Sequence, residues 1–262
     1  MIDGREDQAA GLRRLFRRAP PVVVALYACG RQRSHTAVLA AHRLAGRAER
    51  VLILDEAQGQ DALGGVLGTG EGTDLLQVLD GRTTLAAVVQ PVPGLVGRVP
   101  VAAAALALPL LDDARRACLV EALRLLHRHA GFVLVHGAGE AAAQPSPFVN
   151  AAPCRLVVAE ACASGATEAY RVIKGLASAG AGSVHVAVSR ARDRSDAQAF
   201  FATLEALVRR HVGVPLAWLG EVERDDIANG LRQPLQWNSR DAGAAFMRRI
   251  NAMARAPRVM RA

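Results

Sequence analysis

Residues 22–45, VVVALYACGRQRSHTAVLAAHRLA, constrain the fold more than any other stretch. The apolar run Val22, Val23, Val24, Ala25, Leu26 reads as a buried strand, because β-branched residues suit a pleated sheet covered on both faces. A polar, turn-prone loop follows (Cys29, Gly30, Arg31, Gln32, Arg33, Ser34, His35). Residues 36–45 are then rich in Ala and Leu, with Val38, Leu39 and His42 at helical spacing. Strand, tight loop and helix near the start of an α/β chain form the place where loop amides and a helix N-terminus hold phosphates.

The place is kept and the chemistry is not. A phosphate-binding loop needs glycines that let the backbone curl and present its N–H groups, and a lysine to neutralise charge. Here only Gly30 remains, with Arg31, Gln32, Arg33 and Ser34 filling the loop; His35 stands in the lysine position, followed by Thr36. The chain has a single lysine, Lys174, with no glycine loop before it, so no orthodox P-loop lysine exists anywhere.

Farther along, apolar runs and helical patterns alternate. Strands are expected at 50–55, 95–101, 132–135, 155–159, 184–188 and 217–222. Helices are expected at 73–79, 81–89, 112–129, 167–179, 195–212 and 241–255. That rhythm predicts an α/β fold, a mostly parallel sheet covered by helices on both faces. Half the residues are hydrophobic and only 4% aromatic, which suits such a core. The net charge of +8 comes almost wholly from arginine, through either arginine-biased composition or a surface for polyanions. No basic-and-aromatic array of the single-strand binder type is present, so no nucleic-acid partner is expected.

Cys29, Cys118, Cys154 and Cys162 make no CxxC pair, and free thiols in a reducing cytoplasm are expected. The apolar stretch 99–111 is too short to span a bilayer and contains Pro109, and no signal peptide is read at the start. His127 and His129 lie about 200° apart on a helix and do not chelate one metal. Neither GxSxG nor HExxH occurs.

Before the first strand, Asp7 can cap a helix whose Gln8, Leu12, Leu15 and Phe16 share one face. This segment either packs on its own domain or acts as a detachable arm for a partner groove. Residues 19–21, Ala-Pro-Pro, separate it from the strand. At the other end, Phe246, Ile250 and Met253 lie opposite Arg248, Arg249 and Arg255. Phe246, Arg249, Ile250 and Met253 are the candidates for a membrane-surface contact, and packing on the sheet is the competing reading.

The opening DQAAGLR, Asp7 to Arg13, resembles the DQAxxLR element that begins FlhG/FleN proteins, MinD/ParA-type ATPases that control flagellar number and placement. The likeness extends in pattern through RVLILDEAQGQDALGGVLG, TDLLQVLDGRTTLAAVV, PSPFVNAAPCRLVVAEACASGATEAYRVIKGLA and VPLAWLGEVERDD. It implies a P-loop NTPase (MinD/ParA/SIMIBI-like) architecture, with an N-terminal helix and linker at 1–20, a MinD-like domain at 21–256 and a tail at 257–262.

Carried across, the family's KGGVGKT falls on Gly30, Arg31, Gln32, Arg33, Ser34, His35 and Thr36, so both its lysines are lost, at Gly30 and His35. Asp55 keeps the first carboxylate after the second strand, while Ala57 replaces the second. The Walker B aspartate is His136 and the adenine-reading asparagine is Ser189. Four impaired parts of one site imply a pseudo-ATPase without a bound cofactor, ATP and Mg being held only if the altered loop still takes phosphate.

The resemblance further implies that Asp7, Gln8, Ala9, Leu12 and Arg13 bind the SRP-type GTPase FlhF and stimulate it. The location expected is the cytoplasm, peripherally at the inner membrane or a cell pole. The alternatives are an active MinD-like ATPase that switches by ATP-dependent dimerisation and membrane binding, and a scaffold for flagellar switch (C-ring) proteins or a flagellar transcription regulator.

Overall fold

A computed structural model describes residues 21–46, 50–138, 145–233 and 242–255. Seven strands form one sheet: β1 (Val22–Cys29), β2 (Val51–Asp55), β3 (Gly97–Pro100), β4 (Phe132–His136), β5 (Cys154–Glu160), β6 (Val184–Ser189) and β7 (Leu216–Glu221). Their order is β3-β2-β4-β1-β5-β6-β7, and every pairing between them is parallel. Parallel neighbours need crossovers that place helices on the faces, which is why these strands read as continuous apolar runs.

Among the described residues the eight longer helical segments are α1 (Arg33–Ala45), α2 (Ala102–Ala107), α3 (Asp113–His127), α4 (Pro147–Ala151), α5 (Ala163–Ser178), α6 (Arg194–His211), α7 (Ile227–Arg232) and α8 (Ala242–Arg255). β1 shows how the layers divide. Val24, Leu26 and Ala28 pack with Ala37, Ala40, Ala41 and Leu44 of α1 and with Ile227 and Leu231 of α7. Val23, Ala25, Tyr27 and Cys29 face the other layer, built from α3, α4, α5, α6 and α8. The alternation of Cβ direction along a strand sends successive residues to opposite layers.

Local chemistry fixes the helix starts. Asp112, Asp193 and Asp226 cap α3, α6 and α7 by accepting the amides of Arg115, Asp196 and Asn229. Ser146 caps α4 through the Val149 amide, with Pro147 at the first helical position. Gln32 precedes α1 without a side-chain cap, so the orphan donors of this helix start must find acceptors elsewhere.

Several expected elements differ. The helices expected at 73–79 and 81–89 are single turns, Leu76–Leu79 and Leu85–Val88. Asp74 makes the first begin late, since its carboxylate accepts the Leu76 amide at the start of the turn and also those of Ala103 and Ala104. The strand expected at 95–101 is the shorter β3, and α2, α4 and α7 were not anticipated.

In the closing helix, Phe246 and Ile250 are fully buried and Met253 packs against the same core. Phe246 lies 5.6 Å from the His127 ring and 6.5 Å from Phe148, ring centre to ring centre. Arg249 reaches the Ala151 carbonyl at 3.5 Å. The apolar face considered for lipid is therefore turned to the protein interior. No helix among the described residues is long and apolar enough to cross a membrane. All four cysteines are free thiols. Asp7, Gln8, Ala9, Leu12 and Arg13 lie outside the described residues.

Candidate functional site

Ligands of open parallel sheets bind beyond the carboxyl ends of the strands, and here β1 opens there into the loop that leads to α1. Gly30 begins the turn with φ +128°, a conformation that side chains rarely adopt. Its amide donates to Glu168 Oε2 at 2.7 Å. The next two amides donate to a second carboxylate: Arg31 N to Glu160 Oε2 at 3.1 Å and Gln32 N to Glu160 Oε1 at 2.8 Å. The buried Thr36 hydroxyl also donates to Glu160 Oε1, at 3.3 Å. Glu160 ends β5, the neighbour of β1, and Glu168 lies one turn into α5.

The rest of the loop is tied outward. Arg33 pairs with Asp61 and lies 3.9 Å from Glu168. Ser34 is buried and donates to the Gln60 and Asp61 carbonyls. Arg31 and His35 are exposed. The Gln32 side chain accepts from the Arg190 guanidinium, and Arg190 sits just beyond β6 with φ 57°. Its backbone amide donates to Glu223 at 2.9 Å, which holds it in that left-handed conformation.

On the other side of β4, Asp55 ends β2 as the centre of a closed cluster. Its Oδ1 lies 2.8 Å from His136 Nδ1 and accepts the Ala57 amide at 3.3 Å. Its Oδ2 accepts from Arg98 Nε at 2.7 Å and from the Leu63 amide at 2.9 Å. Arg98 on β3 is itself buried, and its Nη1 donates to the carbonyls of Gly70 and Glu71 and to Gln90 Oε1. Burial pushes the Asp55 carboxyl up. The His136 hydrogen bond and charge, the Arg98 charge and the Leu63 amide together outweigh it and hold the carboxyl below its ordinary value.

Beside it, burial pushes the Glu56 carboxyl up to about 7, helped by the Asp55 charge and opposed by a hydrogen bond from Ser146 Oγ at 2.6 Å. Ser189 ends β6 next to Glu160, with which it pairs in register. It is fully buried, and its hydroxyl has no partner.

The structure thus gathers Gly30, Arg31, Gln32 and Thr36 round Glu160, and His136 with Arg98 round Asp55. It leaves His35 at the surface. Glu160, Glu168, Arg98 and Gln90 escaped the sequence reading, although two carried a signal. Glu160, like Asp55, is a lone carboxylate closing a buried strand, and Arg98 interrupts an otherwise apolar run.

Magnesium and a nucleotide do not fit the arrangement as it stands. The amides of Gly30, Arg31 and Gln32 and the Thr36 hydroxyl already have carboxylate acceptors, and those two carboxylates repel a polyphosphate. Both Asp55 oxygens are doubly engaged, one of them by a guanidinium. Among the described residues no group of three or more His, Cys, Asp or Glu is placed to hold a metal ion.

No family model matches the chain, and no curated protein matches it. Solved structures do resemble it. MinD cell division protein from Aquifex aeolicus is 19% identical, with a TM-score of 0.49 over 88% of this chain and 96% of that one. An ATP complex of a single-residue variant of Cyanothece McdA is 16% identical, with a TM-score of 0.49 over 90% of this chain and 96% of that one. MinD complexed with Mg-ADP from Pyrococcus horikoshii is 17% identical, with a TM-score of 0.45 over 88% of this chain and 94% of that one. At that distance the likeness is one of architecture, and the chemistry of the site rests on its own atoms.

Proposed function

We propose that the chain is a non-hydrolysing regulator built on a MinD/ParA-like scaffold, a pseudo-ATPase similar to FlhG/FleN that acts on flagellar number and placement through a protein partner. The observation that carries the loss of ATPase chemistry is the closed cluster at Asp55. A carboxylate needed for magnesium instead neutralises an internal arginine and holds a histidine. Phosphoryl transfer depends on positioning and charge neutralisation, and neither the exposed His35 nor the carboxylate-bound Arg33 provides them.

The partner reading rests on the sequence element DQAAGLR. In it, Asp7, Gln8, Ala9, Leu12 and Arg13 engage the SRP-type GTPase FlhF. Gln8 helps orient the attacking water in the partner's site, as glutamine does in other GTPases, while Asp7 and Arg13 fix the helix.

Two measurements test the two halves. Calorimetric titration of the purified full chain with Mg-ATP should give no binding heat, and micromolar binding would overturn the pseudo-ATPase reading. In a GTPase assay with FlhF, the full chain should stimulate hydrolysis and Gln8→Ala should not. Equal stimulation by both, or by neither, removes the assigned role of the N-terminal element.

A further inference from the structure

Glu160 differs from the other buried acids described in this fold in what surrounds it. The residue is 5% exposed and its carboxylate lies within the loop between β1 and α1, where it accepts two consecutive backbone amides and the Thr36 hydroxyl. Consecutive main-chain N–H groups, with a hydroxyl in the first turn of the following helix, are the donors that phosphate-binding loops offer to their ligand. A carboxylate, with two charged oxygens about as far apart as two phosphate oxygens, is the side-chain group that most nearly reproduces that ligand.

The fit is tight on both sides. A Cβ on Gly30 would lie 2.5 Å from Glu160 Cδ and 2.6 Å from its Oε2, so the loop closes over the carboxylate only because that residue is glycine. Behind it, a Cβ on Gly165 would lie 2.2 Å from the Glu160 carbonyl oxygen, so the start of α5 is pressed against the backbone that carries this side chain. Glu160 is delivered by the strand next to β1, and its chain position is set by five register pairs with β6.

We propose that Glu160 is a built-in anion occupying the phosphate cradle, and that removing its carboxylate opens a binding site for a tetrahedral oxyanion, inorganic phosphate or pyrophosphate. The inference deepens the reading that the native chain takes no nucleotide, and rests on it. The loop has kept the donor geometry of an oxyanion site and satisfies it from within. Because the carboxylate is tethered, a free anion competes against an intramolecular group at high effective concentration and loses. Glu168, which holds the Gly30 amide, remains in the variant and limits the affinity through its charge.

The test uses the full chain with Glu160→Ala and Glu160→Gln, melted at constant ionic strength across a pyrophosphate series, with inorganic phosphate in parallel. The melting temperature of Glu160→Ala should climb with the logarithm of pyrophosphate concentration once the site fills. Wild type and Glu160→Gln, which keeps the bulk in the loop, should not respond. A Glu160→Ala protein that gains nothing, or a wild type that gains as much, overturns the proposal.

If Glu160→Ala does not fold, hydrogen exchange in Glu160→Gln decides. The carboxamide presents N–H where one of two donors needs oxygen, so the Arg31 or Gln32 amide should exchange about tenfold faster than in wild type. Unchanged exchange at both overturns the proposal. Binding of Mg-ATP to wild type would refute the pseudo-ATPase reading. A silent wild type with a silent Glu160→Ala refutes only the present inference.

Discussion

Replacing Arg98 by methionine should be among the most damaging substitutions at the carboxyl edge of the sheet. The side chain is 2% exposed and its partner Asp55 is fully buried. Methionine keeps most of the aliphatic stem, so the loss falls on the guanidinium. That group donates to Asp55 at 2.7 Å, to the carbonyls of Gly70 and Glu71 at 2.9 and 3.2 Å, and to Gln90 at 2.6 Å. Removing one partner of a buried ion pair costs about 3–5 kcal/mol, because the remaining charge is left uncompensated. Asp55 still has His136 and two amides, which places the expected loss toward the lower end, about 3 kcal/mol. For a domain of this size that corresponds to a fall of roughly 10 °C in melting temperature.

The pH dependence gives a second, independent readout. The folded Asp55 carboxyl is held below its ordinary value of 3.8, so its stabilisation is complete above that value and disappears as pH falls through the depressed one. Without Arg98 part of the depression goes, and the acid limb of the stability curve should begin at higher pH. Urea denaturation followed by circular dichroism from acid to neutral pH measures both effects. Asp55→Asn combined with Arg98→Met should cost less than the sum of the single changes, since the pair acts as a unit. An Arg98→Met protein within about 0.5 kcal/mol of wild type at neutral pH, or additive effects of the two changes, would refute the role assigned to the pair.

Glu56, held at about 7 by burial against an ordinary 4.5, contributes stability that is full below 4.5 and lost as pH rises through 7. Glu56→Gln should therefore flatten that fall, by about 3 kcal/mol between pH 5 and pH 8 in urea titrations. Burial lowers the His127 imidazole to about 4, so its contribution is full above 6.5 and fades as pH drops toward 4. His127→Phe preserves ring packing on Phe246 and should be the more acid-tolerant protein, read as a smaller loss of melting temperature at pH 5. Phe246→Ala should cost about 3–5 kcal/mol in thermal or urea unfolding, and near-wild-type stability would mean that the last helix does not hold the core closed.

How far the fold was legible follows from how each element is stabilised. Val51–Asp55, Phe132–His136 and Val184–Ser189 are buried on both faces and announce themselves as apolar β-branched runs. The segment Ala102–Ala107 is nearly all alanine, with no periodic polar face to reveal a helix, and Pro147–Ala151 is too short to show one. The turn from strand to helix at Gly30 was legible in the pattern of the chain. Its closure was not, because Glu160 lies 129 residues from Arg31 and Arg98 lies 43 from Asp55. Only strand order brings such residues together, and local patterning carries no information on it.

The carboxyl edge of the sheet carries two kinds of group that need partners. The loop between β1 and α1 presents N–H groups at a helix start, and these are costly to leave without acceptors. A buried carboxylate such as Asp55 is more costly still without a cation. The chain answers each with a group of the charge that is missing. Glu160 supplies negative charge at the loop amides, and Arg98 supplies positive charge at Asp55. Both come from strands adjacent to the element they satisfy, so the sheet itself sets their distances. Both partners belong to the chain itself, so neither group needs a ligand to satisfy it. A regulator that works by presenting a fixed surface to a partner needs that independence, whereas a switch that cycles between nucleotide states would be disabled by it.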